Sequence, residues 1–272
     1  MTNIAVILAG GSGRRIGGGI PKQLLPLADG KSILEHAINA FESAPCIHQI
    51  GVVMHKDYIT QAQTLVQRNG WHKVAWIIPG GNERWQSSVN AITKIQEDIN
   101  NQLRINQLIN NQQGNDHLNN TQPITDEESV NVLLHDAARP FVSQQIIQDV
   151  CTAITRYQAV TVAIPATDTI YRITPDQTIA EIPPRQTIMY AQTPQAFRLS
   201  TITEAYHKAL QDSAQLTKHQ QASPTQPAEH LQATDDCGIV HQYLPNIPIH
   251  IVPGAPSNRK ITYPEDLNKQ TR

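Results

Sequence analysis

Apolar residues fall along this chain in short unbroken runs, separated by stretches with helical spacing. Ile4–Leu8 (IAVIL), Ile50–Met54, Val74–Ile78, Val130–Leu134 and Val160–Ile164 are mostly β-branched or aliphatic and show no polar alternation. That is the pattern of strands covered on both faces. Ser32–Phe41, Tyr58–Arg68 and Ser87–Ile95 instead carry apolar residues at helical spacing, with Ser32 placed as an N-cap. A further helix is predicted from Ser143 to about Tyr157, others near 201–210, 238–243 and from Pro264, and a strand at 247–252. Strand followed by helix, three times over, predicts an α/β fold: a Rossmann-like, doubly wound, mostly parallel sheet.

Three stretches break the pattern. Residues 96–128 are crowded with Asn and Gln, and 211–232 are polar. Both read as insertions without a core of their own, disordered or able to prolong a helix, the first through Leu103, Ile105, Leu108 and Ile109. Residues 167–190 alternate in short bursts around Thr174-Pro175-Asp176 and Pro183-Pro184, which predicts a protruding β-hairpin arm. With no internal repeat, residues 1–272 read as one domain carrying the arm and two insertions.

The first strand runs into Ala9-Gly10-Gly11-Ser12-Gly13, a turn with almost no side chains, followed by Arg14, Arg15 and, after Pro21, Lys22. Bare backbone N–H groups close around phosphate oxygens, and cations complete the site. The dinucleotide fingerprint does not fit, because its last glycine position holds Ile16, and no Gly-Lys-Ser/Thr ending of a P-loop follows. A plain strand-to-helix turn is the alternative for the glycines alone. A second glycine turn, Gly80-Gly81-Asn82, ends the third strand. His135-Asp136-Ala137-Ala138-Arg139-Pro140 ends the fourth. Ligands of such sheets bind beyond the carboxyl ends of strands.

The loop from Leu8 to Arg15, with Pro21-Lys22-Gln23-Leu24-Leu25-Pro26-Leu27, resembles the signature of nucleotidyltransferases that activate sugar and polyol phosphates. Within them it is similar to the 2-C-methyl-D-erythritol 4-phosphate cytidylyltransferase family of non-mevalonate isoprenoid synthesis. The resemblance implies transfer of CMP from CTP to the polyol phosphate with release of pyrophosphate. It makes Arg15 and Lys22 the catalytic cations. Ala9, Gly10, Gly11 and Gly13 line the nucleotide phosphates; Gly81, Asn82 and Ser87 serve the cytosine end, and Ala137 the ribose. The family often has Asp at the Asn82 position. Asp136 would hold Mg²⁺, although by itself it also reads as a helix cap or a partner of Arg139. Arg172 and Lys260 would hold the methylerythritol phosphate, with Asp168 and Thr169 helping to place it; without the resemblance both cations read as solvated. Asp235 and Asp236 read as helix caps and stay out of the metal site, and His135 reads as structural. The resemblance also implies a homodimer, in which the arm reaches the partner subunit.

The attacking phosphate monoester has a second pKa of about 6, so near neutral pH it needs no protein base. That agrees with a set rich in Arg, Lys and Asp. Ribitol-5-phosphate cytidylyltransferases share most of these blocks. A nucleotide-binding regulatory protein without turnover is the rival from another class; it would bind CTP and yield no product.

Composition narrows the partners. A formal net charge of −2 over 272 residues gives no basic face for a nucleic-acid duplex. The three tryptophans form no stacking platform. No apolar run reaches the roughly 18 residues of a membrane span. The three cysteines are far apart in sequence and lack ligand spacing, which suits a reducing, cytoplasmic setting.

Overall fold

The structure, a computed structural model, describes residues 1–11, 20–112, 127–220 and 234–267, except the side chains of 106–112 and 215–220. In chain order the elements are β1 (Thr2–Ala9), α1 (Ile33–Glu42), β2 (Gln49–Met54), α2 (Ile59–Asn69), β3 (Val74–Pro79), α3 (Arg84–Gln112), β4 (Val130–Asp136), α4 (Gln144–Ala153), β5 (Ala159–Pro165), β6 (Arg172–Ile173), β7 (Ile179–Glu181), β8 (Met189–Arg198), α5 (Leu199–Gln220), α6 (Asp236–Tyr243) and β9 (Ile249–Pro253).

Among the described residues a 7-stranded sheet has the order β3-β2-β1-β4-β8-β5-β9. All neighbours pair parallel except β8, which runs antiparallel to both β4 and β5. The order reverses direction between β1 and β4, where Leu8 lies opposite Asp136.

The unbroken apolar runs follow from burial on both faces. Ala5, Ile7 and Ala9 of β1 pack with Leu34, Ile38 and Phe41 of α1, Leu65 of α2 and Ile147 and Val150 of α4. Ile4, Val6 and Leu8, one step out of phase, pack with Ile92 and Ile95 of α3, Ile202 and Tyr206 of α5 and Ile239 of α6. Helix ends are set locally. A capping box joins Ser32 and Glu35 at α1. Gly70, at φ 63°, closes α2 in the left-handed conformation that a side chain resists. Ser143 caps α4 and Asp235 caps α6.

Several boundaries depart from the sequence reading. β8 was not expected at all. α4 stops at Ala153 rather than near Tyr157, where Arg156 and Tyr157 both donate to the Ala153 carbonyl in a tightened last turn. In agreement with that reading, α3 and α5 continue into the stretches read as insertions, to Gln112 and Gln220; the rest of those insertions lies outside the described residues. The helix expected from Pro264 is a 3-10 turn, Pro264–Leu267.

The arm has the expected hairpin character, with β6 and β7 forming a separate two-stranded antiparallel sheet. Its base is tied by the Ala166 N–H to the Ile188 carbonyl at 3.0 Å. Tyr171, Ile173, Ile179 and Ile182 along it are each more than half exposed. Among the described residues no helix is long and apolar enough to cross a membrane.

Candidate active site

The carboxyl ends of β1, β3 and β4 meet the amino-terminal half of the antiparallel β8 at one rim of the sheet. At the end of β1, Ala9 is buried and Gly10 packs against the second glycine turn. A Cβ on Gly10 would lie 3.2 Å from Ser87 Oγ and 3.3 Å from Gly80 Cα. One on Gly80 would lie 2.9 Å from the same hydroxyl. Two backbones approach here as only glycines permit. Ser87 is buried and ties the turn by accepting the Gly81 N–H at 3.2 Å. Asn82 is exposed beside it. Gly11 is held by Gln23 Nε2, which donates to its carbonyl at 3.3 Å. Gly13 and Arg15 lie outside the described residues.

Lys22 follows Pro21 at the start of a short 3-10 turn, Lys22–Leu24. Its Nζ crosses to the far end of the chain and donates to the Ile261 carbonyl at 2.8 Å. The segment 258–262 is itself stitched to the rim. Ile261 N–H donates to Ala138 O at 2.8 Å, Arg139 Nη1 to Asn258 O at 2.9 Å, and the buried Asn258 amide to Gln192 and Thr193 of β8.

Asp136 ends β4, only 9% exposed. Its Oδ1 accepts from Arg84 Nε at 3.1 Å and its Oδ2 from Lys260 Nζ at 2.7 Å. Burial alone would raise its pKa; the Arg84 and Lys260 charges outweigh that and hold the carboxyl well below the usual carboxylate range. Its backbone N–H donates to Thr193 Oγ1 at 3.1 Å. The hydroxyl in turn donates to His135 Nδ1, 3.1 Å away, which leaves His135 Nε2 to donate to the Arg139 carbonyl at 2.9 Å. Burial pushes His135 down to about 4, so the ring is neutral and serves this scaffold, as expected of a structural histidine. The partner of Asp136 is therefore Arg84 with Lys260, not the Arg139 side chain, which donates to the Asn258 and Ala191 carbonyls.

The fold thus brings Gly10, Gly11, Gly81, Ser87, Lys22, Asp136 and Lys260 to one rim. Ala137 is there too, fully buried, its N–H given to Leu8 O at 3.1 Å. Arg172, Asp168 and Thr169 are not at this rim cluster but exposed on the arm and its approach. Arg172 pairs with Glu181 across the hairpin, Nε to Oε2 at 2.8 Å. Sequence reasoning missed Arg84, Asp236, Thr193 and Asn258. A cation opening the helix just past Gly81-Asn82 was the available signal for Arg84. Nothing in the sequence distinguishes Asp236 from its capping neighbour.

Among the described residues no three His, Cys, Asp or Glu side chains converge on a metal position. Mg²⁺ in nucleotide sites commonly takes one or two carboxylates, with phosphates and water completing its shell. An ionised Asp136 beside the glycine loop fits that demand. Among the described residues Oδ2 is shared with Lys260, whose side chain is 40% exposed.

A side-chain-free turn at the switch point of an α/β sheet, rimmed by lysines and an ionised aspartate, is the layout of a nucleotidyltransferase. A family model described as "IspD: 2-C-methyl-D-erythritol 4-phosphate cytidylyltransferase" matches residues 3–105 and 112–271, and the chain belongs to that family. The cytidylyltransferase of that name from Thermobifida fusca is 37% identical over 267 residues, 97% of this chain and 89% of the relative. The "Bifunctional ribulose 5-phosphate reductase/CDP-ribitol pyrophosphorylase Bcs1" of Haemophilus influenzae is 34% identical over 97% of this chain but only 46% of its own length. The crystal structure of 4-diphosphocytidyl-2C-methyl-D-erythritol synthase from Anaerococcus prevotii superposes with a TM-score of 0.68 at 24% identity, covering 98% of this chain and 94% of that one, a likeness of fold.

Proposed function

We propose that the protein transfers CMP from CTP to 2-C-methyl-D-erythritol 4-phosphate. A phosphate oxygen of the polyol phosphate forms a bond to the α-phosphorus of CTP, the bond from that phosphorus to the bridging oxygen breaks, and pyrophosphate leaves with the electron pair. The products are 4-diphosphocytidyl-2-C-methyl-D-erythritol and pyrophosphate. The observation that carries this reading is Asp136 lying opposite Leu8, one residue before the bare loop, and joined to Lys260.

In this reading the backbone of Gly10 and Gly11 takes the triphosphate. Lys22, with Arg15, offsets charge that builds on the phosphoryl oxygens and the leaving group. The turn at Gly81 and Ser87 takes the base end, and Lys260 takes the acceptor phosphate. Mg²⁺, held by Asp136 and the triphosphate, would neutralise charge on the phosphate oxygens. The acceptor phosphate, dianionic at neutral pH, attacks without a protein base.

The arm supports a homodimer. A two-stranded ribbon is marginal by itself, and this one leaves Tyr171, Ile173, Ile179 and Ile182 uncovered. A second subunit would cover them and bring Arg172, Asp168 and Thr169 to its own acceptor site. Cysteines 46, 151 and 237 are all unpaired, in keeping with a cytoplasmic enzyme.

Incubation of the purified protein with CTP and Mg²⁺ and, in turn, methylerythritol phosphate or ribitol 5-phosphate tests the assignment. ³¹P NMR should show a new diphosphate diester and pyrophosphate with the first acceptor. Product with ribitol 5-phosphate alone overturns the choice of acceptor. CTP binding without product from either leaves a regulatory binder in its place.

A further inference from the structure

Asp136 is the outer carboxylate in a row of alternating charges that runs from the rim into the interior. Arg84 opens α3 and reaches back with two separate donors. Nε meets Asp136 Oδ1 at 3.1 Å, and Nη1 meets Asp236 Oδ2 at 2.6 Å. Asp236 is fully buried at the start of α6, and Tyr206 of α5 donates its hydroxyl to the other oxygen, Oδ1, at 2.7 Å. The Asp236 N–H and Cys237 N–H both donate to Gln195 Oε1 of β8, which locks the helix start. Lys260 completes the row at the rim.

The division of Arg84 between two carboxylates is the informative point. A guanidinium facing one carboxylate makes two parallel bonds and occupies both oxygens. Here each carboxylate takes a single bond from Arg84, and among the described residues the buried Nη2 meets no hydrogen-bond partner. Asp136 therefore keeps Oδ2 for a cation at the rim. Asp236 has no exposure and lies behind Arg84, so it cannot itself touch a ligand. Its charge is directed at Arg84. Without it, Arg84 and Lys260 together outnumber Asp136.

We propose that Arg84, backed by Asp236, is a positioning residue for Asp136: it fixes one carboxylate oxygen, turns the other toward the rim, and leaves the carboxylate's charge available to a bound cation because Asp236 offsets its own. The proposal rests on the reading of Asp136 as the Mg²⁺ ligand.

Calorimetric titration of CTP into the protein, once with Mg²⁺ and once with EDTA, isolates the gain in affinity that the metal confers. In Asp236→Asn and in Arg84→Lys, which lacks the two separated nitrogens of the guanidinium, that gain should fall about 10-fold or more, as expected when the partner of a metal ligand is lost. Metal-free CTP binding should hold. Tyr206→Phe, which keeps the ring, should give a smaller fall of the same kind. If Asp236→Asn does not fold, the other two variants carry the same test. An unchanged gain in folded variants, or an equal loss with and without metal, overturns the proposal. If wild-type protein shows no Mg²⁺-dependent gain at all, the assignment of Asp136 itself falls and takes this with it.

Discussion

Arg84 and Arg172 are both arginines bound to carboxylates, yet they stand in opposite surroundings. The Arg172 side chain is 71% exposed and its partner Glu181 48%, whereas Arg84 is 25% exposed between partners at 13% and 0%. An exposed pair contributes roughly 0–1 kcal/mol, because water screens it and two long side chains lose freedom. A buried pair is different: removing one member strands the other's charge away from water. The position of Arg84 is thus set by the fold itself. Arg172 is held by a solvent-screened pair on its own hairpin, so its position is set far less firmly than that of Arg84.

Four variants sharpen or break this contrast. The largest effect belongs to Lys22→Ala, which should lower kcat by about 10²–10³, as for other losses of one fixed charge-stabilising donor. The KM for CTP should change far less; a pure loss of CTP binding at full maximal rate would count against the role given to Lys22. Arg84→Ala comes next. It leaves Asp136 and Asp236 without their shared cation and should cost about 3–5 kcal/mol of stability in urea unfolding. A cost near zero would mean the row is not a buried network. Glu35 is the intermediate case, buried itself but paired with Arg68, whose side chain is 62% exposed. Burial raises its pKa, but hydrogen bonds from Ser32 and Asn69 and the Arg68 guanidinium prevail and bring it from 4.5 to about 2. A carboxylate depressed on folding stabilises fully above its unfolded value and loses that contribution as pH falls toward the folded one. Tm should therefore drop between pH 5 and pH 3, and Glu35→Gln should drop less over the same range. The smallest stability effect is that of Arg172→Ala, within about 0.5 kcal/mol. Its KM for the polyol phosphate should nonetheless rise about tenfold, the loss of one charge-assisted contact, with the KM for CTP unmoved. A rise for CTP instead would remove Arg172 from the acceptor site.

The legible parts of the molecule are those governed by local rules. Ile4–Leu8 and Val130–Leu134 announce two-sided burial, and Ser32 announces its helix with Glu35 three residues on. The loops at Gly10 and Gly81 follow from strand ends, so most rim residues were in view. β8 was hidden because Gln192-Thr193-Pro194-Gln195 lacks any strand period. Its polar side chains are buried and satisfied by contacts at sequence distances of about 30 to 66 residues. Pro194, which cannot donate to a ladder, lies where the β5–β8 register shifts. The same reason hid the Arg84–Asp236 pair, whose members stand 152 residues apart. Contacts of that range belong to topology, which a single sequence does not display.

The reversed direction of β8 has an architectural result. β5 leaves the sheet on the ligand side, and an antiparallel successor must enter from that same side. The loop between them therefore never visits the opposite end of the molecule. Residues 166–188 begin and end at this one rim by topological necessity, and extra length there would lengthen the arm without disturbing the strands below.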